Sequence, residues 1–261
     1  MKKLIIFFLT GLMALSCSDH DPAPDTCKLS TSPTVKKLTY DGNSRVATMI
    51  TEVFNSMTMQ PADVLSTFSY DAAGKLTKTA YTGNGIPISE ETYTYTDGSV
   101  SQVNFSGPQS PTGLNNLSYD AAGRLSRYTV EVGGKLQFAQ TYAYNADGVL
   151  TERAVVDGQG NTVFKAVTKP VGSVKSPEQL LVSRGLPYLV ATGDPFVSAE
   201  GGIGTVRDYF STDNTGKLVP VGSEKITALK TNAKGYITEL TVADSDGKNP
   251  STSTYTLLDC N

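Results

Sequence analysis

Carboxylates and tyrosines are the residues of this chain whose types and spacing could do chemistry. Glu90, Glu91, Glu131, Glu152 and Glu239 fall on segments that read as strands, and glycoside hydrolysis needs only two carboxylates at the right separation. Adjacent strand residues point to opposite faces, so Glu90 and Glu91 cannot work as a pair. Glu131 and Glu152 lie on neighbouring hairpins and could approach each other, although a solvated sheet surface is by far the commoner reason for such residues. Tyr93, Tyr95, Tyr142 and Tyr144 form aromatic rows on one strand face. Such rows either stack a sugar or peptide or pack across strands as core.

Other chemistries lack their residues. The one histidine, His20, lies near the start of the chain, outside any segment with strand patterning. A Ser-His-Asp triad or a histidine metal site would have to recruit a tether residue. Gly201-Gly202-Ile203-Gly204 lacks the Lys-Ser/Thr and the strand-turn-helix setting of a phosphate loop. Asp244-Ser245-Asp246-Gly247-Lys248-Asn249 has oxygens at calcium-like spacing but no closing glutamate, and an Asp-Gly hairpin turn explains it. No cofactor and no metal is expected.

The first residues read as a targeting segment. Lys2 and Lys3 supply positive charge, Leu4 to Leu15 form an apolar run, and Ser16-Cys17 follow. The run is shorter than the roughly 20 residues that span a bilayer, which favours a secretory signal over 1–16. Ala14-Leu15-Ser16-Cys17 resembles the lipobox of bacterial lipoproteins, with Ala14 where the family usually has Leu. The resemblance implies acylation of Cys17 and a lipid anchor in the membrane. Ser18-Asp19-His20-Asp21, with Asp25 nearby, is similar to the acidic export tag of Bacteroidetes-type lipoproteins, implying an outer-membrane location. The same residues, with Pro22, Pro24 and Pro33, also read as a solvated tether over 17–34.

Removal of residues 1–16 takes away two lysines and no acid, moving the formal charge from -3 to -5. A mildly acidic body argues against nucleic acid as a partner. With Cys17 given to lipid, Cys27 and Cys260 remain. In an oxidising compartment they read as a disulfide, the alternative being two free thiols. Closing so long a loop removes denatured-state entropy worth roughly 5 kcal/mol in the simplest chain treatment, and it requires the two ends of the domain to meet. No thiol is then left as a nucleophile.

Tyr70-Asp71-Ala72-Ala73-Gly74-Lys75-Leu76 and Tyr119-Asp120-Ala121-Ala122-Gly123-Arg124-Leu125 are nearly the same segment. Looser copies begin at Tyr40, Tyr95 and Tyr144, and Asp213–Leu218 and Asn232–Ile237 keep the turn and the apolar residue after it. From Tyr70 the anchors recur at steps of 25, 24 and 25 residues, a period that signals a repeat architecture. In each unit a Tyr- and Thr-rich run enters, Asx and Gly reverse the chain, and an apolar-led run leaves. Asn84-Gly85, Gly133-Gly134, Asp157-Gly158 and Asp246-Gly247 supply second turns. Entering strands alternate cleanly, with Phe68 and Tyr70, Tyr93 and Tyr95, and Tyr142 and Tyr144 on one face. Leaving strands do not: Leu125 falls out of phase with Tyr128, Val130 and Val132, which demands a bulge or a semi-polar face.

These segments resemble the YD repeats of RHS and teneurin-type proteins, most specifically at residues 70–76 and 119–125. The better match is to short exported lipoproteins with such repeats, which implies an open, porin-like or half-barrel sheet. Some twelve strands exceed the roughly ten at which a twisted open sheet curls or splits. Residues 35–261 are therefore expected to form an all-β domain, an antiparallel meander of hairpins in a strongly curved sheet or partly closed barrel.

An irregular insertion at 168–206 breaks the pattern. Ser176 as N-cap, Pro177 at the first position and Gln179 three residues after the cap predict a short helix that Gly185 stops. Its apolar residues read either as a core plug or as a ligand-gating loop. The function expected is that of a non-enzymatic, membrane-anchored lipoprotein whose curved sheet binds a ligand or partner, a glycan or an envelope protein. A carboxylate-dependent glycan-active enzyme and a structural envelope component are the alternatives.

Overall fold

The computed structural model describes residues 26–55, 60–108, 110–170, 174–187 and 204–260. Fifteen strands follow one another in a single antiparallel sheet, each paired with the next in sequence. They are β2 (Val35–Tyr40), β3 (Val46–Asn55), β4 (Gln60–Tyr70), β5 (Leu76–Gly83), β6 (Ile86–Thr96), β7 (Ser99–Gly107), β8 (Ser110–Tyr119), β9 (Leu125–Val132), β10 (Lys135–Tyr144), β11 (Leu150–Asp157), β12 (Thr162–Pro170), β13 (Gly204–Thr212), β14 (Leu218–Thr231), β15 (Ile237–Asp244) and β16 (Ser251–Thr254). The strand count exceeds the twelve expected partly because the segments joining β3 to β4 and β7 to β8 contain no Asx-Gly pair.

The sheet is curved but not closed. β2 and β16 are its edges, and the seam between them carries a separate two-stranded ribbon, β1 (Lys28–Thr31) with β17 (Thr256–Leu258). Cys27 and Cys260, immediately outside that ribbon, form the expected disulfide, with Cα atoms 4.3 Å apart.

One local device recurs at eight reversals, at Asp41, Asp71, Asp120, Asn145, Asp157, Asp213, Asn232 and Asp244. In each, the Asx N–H donates to the carbonyl four residues on, at 2.8–3.0 Å. The fourth turn residue takes positive φ, and it is Gly at all of them except Ser44 (φ 60°). At the first seven the Asx side chain also accepts the N–H four residues on, at 2.8–3.1 Å. Asn84-Gly85, Asp97-Gly98 and Gly133-Gly134 make two-residue turns instead, both residues at positive φ.

The out-of-phase leaving strands have a bulge. Tyr119 pairs with Leu125 but Ser118 pairs with Arg127, so Ser126 is extra and Leu125 joins Tyr128 and Val130 on the inner face. The same slip occurs after Leu76, Val100 and Leu150. In these four the extra residue is Ser or Thr, and its hydroxyl donates back across the strand pair: Thr77 to Ser69 O, Ser101 to Thr94 O, Ser126 to Ser118 O and Thr151 to Ala143 O, at 3.0–3.3 Å; after Val46 the same slip leaves Ala47 extra, with no hydroxyl to donate.

Successive units are stapled by their tyrosines. The hydroxyls of Tyr40, Tyr70, Tyr95, Tyr119 and Tyr144 donate to the carbonyls of Leu29, Val46, Leu76, Val100 and Leu125, at 2.6–2.9 Å. The turn cation of one unit lies over the ring of the next: Arg45 over Tyr70, Lys75 over Tyr95 and Arg124 over Tyr144, at 4.6–5.1 Å.

Residues 174–187 plug one end of the concave side. The helix α1 (Gln179–Val182) is a single turn. Ser176 caps less than expected: its Oγ accepts the Glu178 N–H at 3.3 Å and its hydroxyl bonds the Glu178 carboxylate, closing a tight turn from which α1 departs at Glu178 rather than at Ser176. Gly185 (φ 93°) ends it as expected, with Leu186 N–H reaching Leu181 O at 3.2 Å. Leu180, Leu181 and Leu186 are at most 2% exposed. The plug grips both flanks of the sheet: Val46 N–H donates to Arg184 O on one side, and Lys175 bridges Gly235 and Ile237 on the other. Of the insertion's other apolar residues, Tyr188 to Val190 and Pro195 to Val197 lie outside the described residues.

Candidate functional site

Inward-facing residues of β5 to β11 surround a cavity of about 240 Å³ on the concave side, which Pro187 of the plug also borders. Its floor is apolar, from Val100, Val103 and Leu117. Its walls are aromatic, from Tyr81, Tyr93, Tyr128, Phe138 and Tyr142, with Tyr128 and Phe138 meeting edge to face at 6.3 Å. Four polar side chains enter it: Glu91, Asn115, Gln140 and Arg153.

Glu91 is the centre of a tyrosine cluster. Its Oε2 accepts the hydroxyls of Tyr81 at 2.8 Å and Tyr93 at 2.5 Å, and Thr79 hydrogen-bonds the Tyr93 oxygen at 2.9 Å. Burial pushes the Tyr81 and Tyr93 hydroxyls well above the ordinary phenol range, and the Glu91 charge adds to it. The same two causes push Tyr128 up to about 12. All three keep their protons near neutral pH, so they act as donors and not as phenolate nucleophiles.

Two groups at the cavity have unused hydrogen-bonding capacity. Among the described residues nothing hydrogen-bonds Glu91 Oε1, and no lysine or arginine nitrogen pairs with this carboxylate. Asn115 is 8% exposed, and its Oδ1 has no hydrogen-bond partner among the described residues.

The four tyrosines singled out in the sequence separate into two pairs. Tyr93 and Tyr142, both buried, line the cavity, and Tyr142 donates to Gln140 Oε1 at 2.9 Å. Tyr95 and Tyr144, two residues along each strand, lie outside its lining and belong to the inter-unit staples. Cys17 and His20 lie outside the described residues.

Glu131 and Glu152 do not form a site. Glu131 accepts Asn116 Nδ2 at 3.0 Å and Glu152 pairs with Lys165 at 2.6 Å, both on the outward face. Glu90 and Glu239 face outward too, paired with Lys78 and Lys230. The Asp244–Asn249 segment is a hairpin turn, with Asn249 Nδ2 on Asp244 Oδ2 at 2.8 Å. Gly201 to Ile203 lie outside the described residues and Gly204 opens β13.

Sequence reading missed Glu91, Asn115 and Arg153 as cavity residues. Glu91 shares strand parity with Tyr93, and Asn115 with Leu117, so period-2 counting alone places both inward. Arg153 turns inward only because of the bulge at Thr151.

The outward face carries Lys36 between Glu52 and Asp63, and the Lys78–Glu90, Glu152–Lys165 and Lys230–Glu239 pairs.

No family model and no curated protein matches the chain. Solved structures do match. A porin-like protein from Bacteroides uniformis aligns with a TM-score of 0.51 at 15% identity, over 85% of this chain and 89% of that one. A porin-like protein from Bacteroides vulgatus aligns at 0.39 and 9% identity, over 84% of this chain and 91% of that one. A Tc holotoxin pore from Photorhabdus luminescens aligns at 0.30 and 12% identity, over 86% of this chain and 10% of that one. The first of these similarities shows a shared fold, a curved antiparallel β sheet spanning nearly the whole length of both chains.

Proposed function

We propose that this protein is a non-enzymatic envelope protein, held to the outer membrane by lipid on Cys17, whose curved sheet binds a small ligand on its concave face. The observation that carries the reading is the cavity of about 240 Å³ between Tyr93 and Tyr142, where Glu91 and Asn115 hold unused hydrogen-bonding capacity. Specific small-molecule sites combine aromatic walls with a few convergent polar groups in this way. Supporting a non-enzymatic role, the described residues that line the cavity include one carboxylate, and its tyrosines keep their protons. The charged outward face fits a domain that stands in water on a tether.

Two measurements test the reading. Labelled palmitate should enter the full chain and be lost in Cys17→Ala, which should move from the membrane fraction to the soluble one. A thermal-shift screen of a chemically broad small-molecule library should yield ligands that raise the melting temperature of the native chain but not of an Asn115→Leu variant, which fills the polar end of the cavity. No stabilising compound, or equal stabilisation of both proteins, would remove the binding role and leave a structural envelope component.

A further inference from the structure

Resting on that reading, we infer that the concave cavity takes a small organic cation, its ammonium group held by Glu91 within a cage of tyrosine rings. Glu91 is half-buried inside the sheet, and two tyrosine hydroxyls are committed to one of its oxygens. Among the described residues no group hydrogen-bonds the other oxygen and no cation forms an ion pair with it. A carboxylate partly shielded from water without a counter-charge favours a cationic partner, to which a charge-assisted contact contributes more than a neutral hydroxyl does.

The surrounding rings add a second attraction of the same sign. Tyr81, Tyr93, Tyr128, Phe138 and Tyr142 all line the cavity, and ring faces attract ammonium groups, most strongly where water is excluded. The two phenols nearest Glu91 point their hydroxyls at it. They brace the carboxylate without neutralising it, so its charge is available to a ligand. Asn115 Oδ1, the unpartnered acceptor, favours a ligand that donates. Arg153, five strands along the sheet from Glu91, faces the same cavity. It sets a limit on length: a cation confined to the Glu91 end is accommodated, and its charge must stay clear of the guanidinium at β11.

Every feature that attracts an ammonium group here is a carboxylate, a carbonyl oxygen or a π face. A sugar could use the acceptors and the rings, but it would leave the charge on Glu91 uncompensated. That difference makes the two ligand classes separable by experiment.

Isothermal titration of the full-length chain in detergent with tetramethylammonium, choline, glycine betaine and glucose tests this. Saturable binding of tetramethylammonium and choline is expected, with glucose silent. Glu91→Gln keeps the shape and still accepts the Tyr81 and Tyr93 hydroxyls, so it should fold as the parent does and lose at least tenfold in choline affinity. Tyr128→Leu, which removes a ring and leaves the charge, should lose severalfold. Choline binding unchanged in Glu91→Gln, or glucose binding in place of the cations, overturns the assignment of ligand class while leaving a binding cavity in place. If no probe binds, the cation assignment falls, and the broad thermal-shift screen separately decides whether the cavity binds anything.

Discussion

Tyr70 donates its hydroxyl proton to the carbonyl oxygen of Val46, 2.7 Å away and 24 residues earlier in the chain. Tyr119 makes the same bond to Val100 at 2.8 Å. Each bond joins the entering strand of one unit to the first apolar residue of the leaving strand before it. Removing a hydroxyl from a half-buried pair of this kind costs about 1 kcal/mol. Tyr70→Phe and Tyr119→Phe should each lower stability by about that much, with the urea m-value unchanged. Being four strands apart, they should add within about 0.5 kcal/mol. A neutral result for both would mean that the rings alone hold the units in register.

The Asx turns make the protein sensitive to acid. The carboxyls of Asp41, Asp120, Asp157, Asp213 and Asp246 are held below the ordinary range by hydrogen bonds within their own turns, from the Arg124 side chain first for Asp120 and from the Asn161 backbone first for Asp157. A carboxyl depressed on folding contributes stability above its ordinary pKa and loses it as pH falls through the folded value. The urea midpoint should therefore be level above about pH 5 and decline below about pH 4. Asp120→Asn and Asp213→Asn should fold and show a shallower decline, because an amide accepts the turn N–H groups without titrating, as Asn145 and Asn232 already do. An acid limb identical to the parent's would show that the turns do not set it.

Breaking the Cys27–Cys260 bond should act on the seam and not on the repeats. A loop of this separation, 233 residues, stabilises by at most roughly 5 kcal/mol through the denatured state. Cys27→Ser with Cys260→Ser should lower the melting temperature. Amide exchange should quicken first in β1, β17 and α1, while Leu117 and Leu125 stay protected. Uniform acceleration across the sheet would argue that the seam is not an independent unit.

The plug should behave as core. Leu181 is fully buried in the main apolar cluster, so Leu181→Ala should cost 2 to 5 kcal/mol, roughly the range for a buried leucine, measured by denaturant unfolding. Loss of less than about 1 kcal/mol would mean that the segment lifts off readily and acts as a gate.

The parts of this fold that are local in sequence were legible. Asx and Gly at fixed spacing specify each reversal through hydrogen bonds that span five residues, and Tyr93 and Tyr95 share a face by simple alternation. The bulges were not assigned, because one extra residue inverts the parity of everything after it and its own type is no fixed mark: Ser or Thr after Leu76, Val100, Leu125 and Leu150, but Ala47 after Val46. Arg153 was lost for that reason. Adjacency excludes Glu90 and Glu91 as a pair, and the signal that places Glu91 inward is instead the parity it shares with Tyr93. The partners of the plug were beyond reach: Arg184 meets Val46 and Cys27 across more than a hundred residues, and no local pattern encodes such contacts.

The covalent seam has a mechanical consequence. Any pull on the residues preceding Cys27 is transmitted through sulfur to Cys260, so the load is divided between the two margins of the sheet. Edge hydrogen bonds that would otherwise be peeled one after another, like a zip, are instead stressed together in shear, and the sheet resists traction as a closed loop although its own strands leave it open.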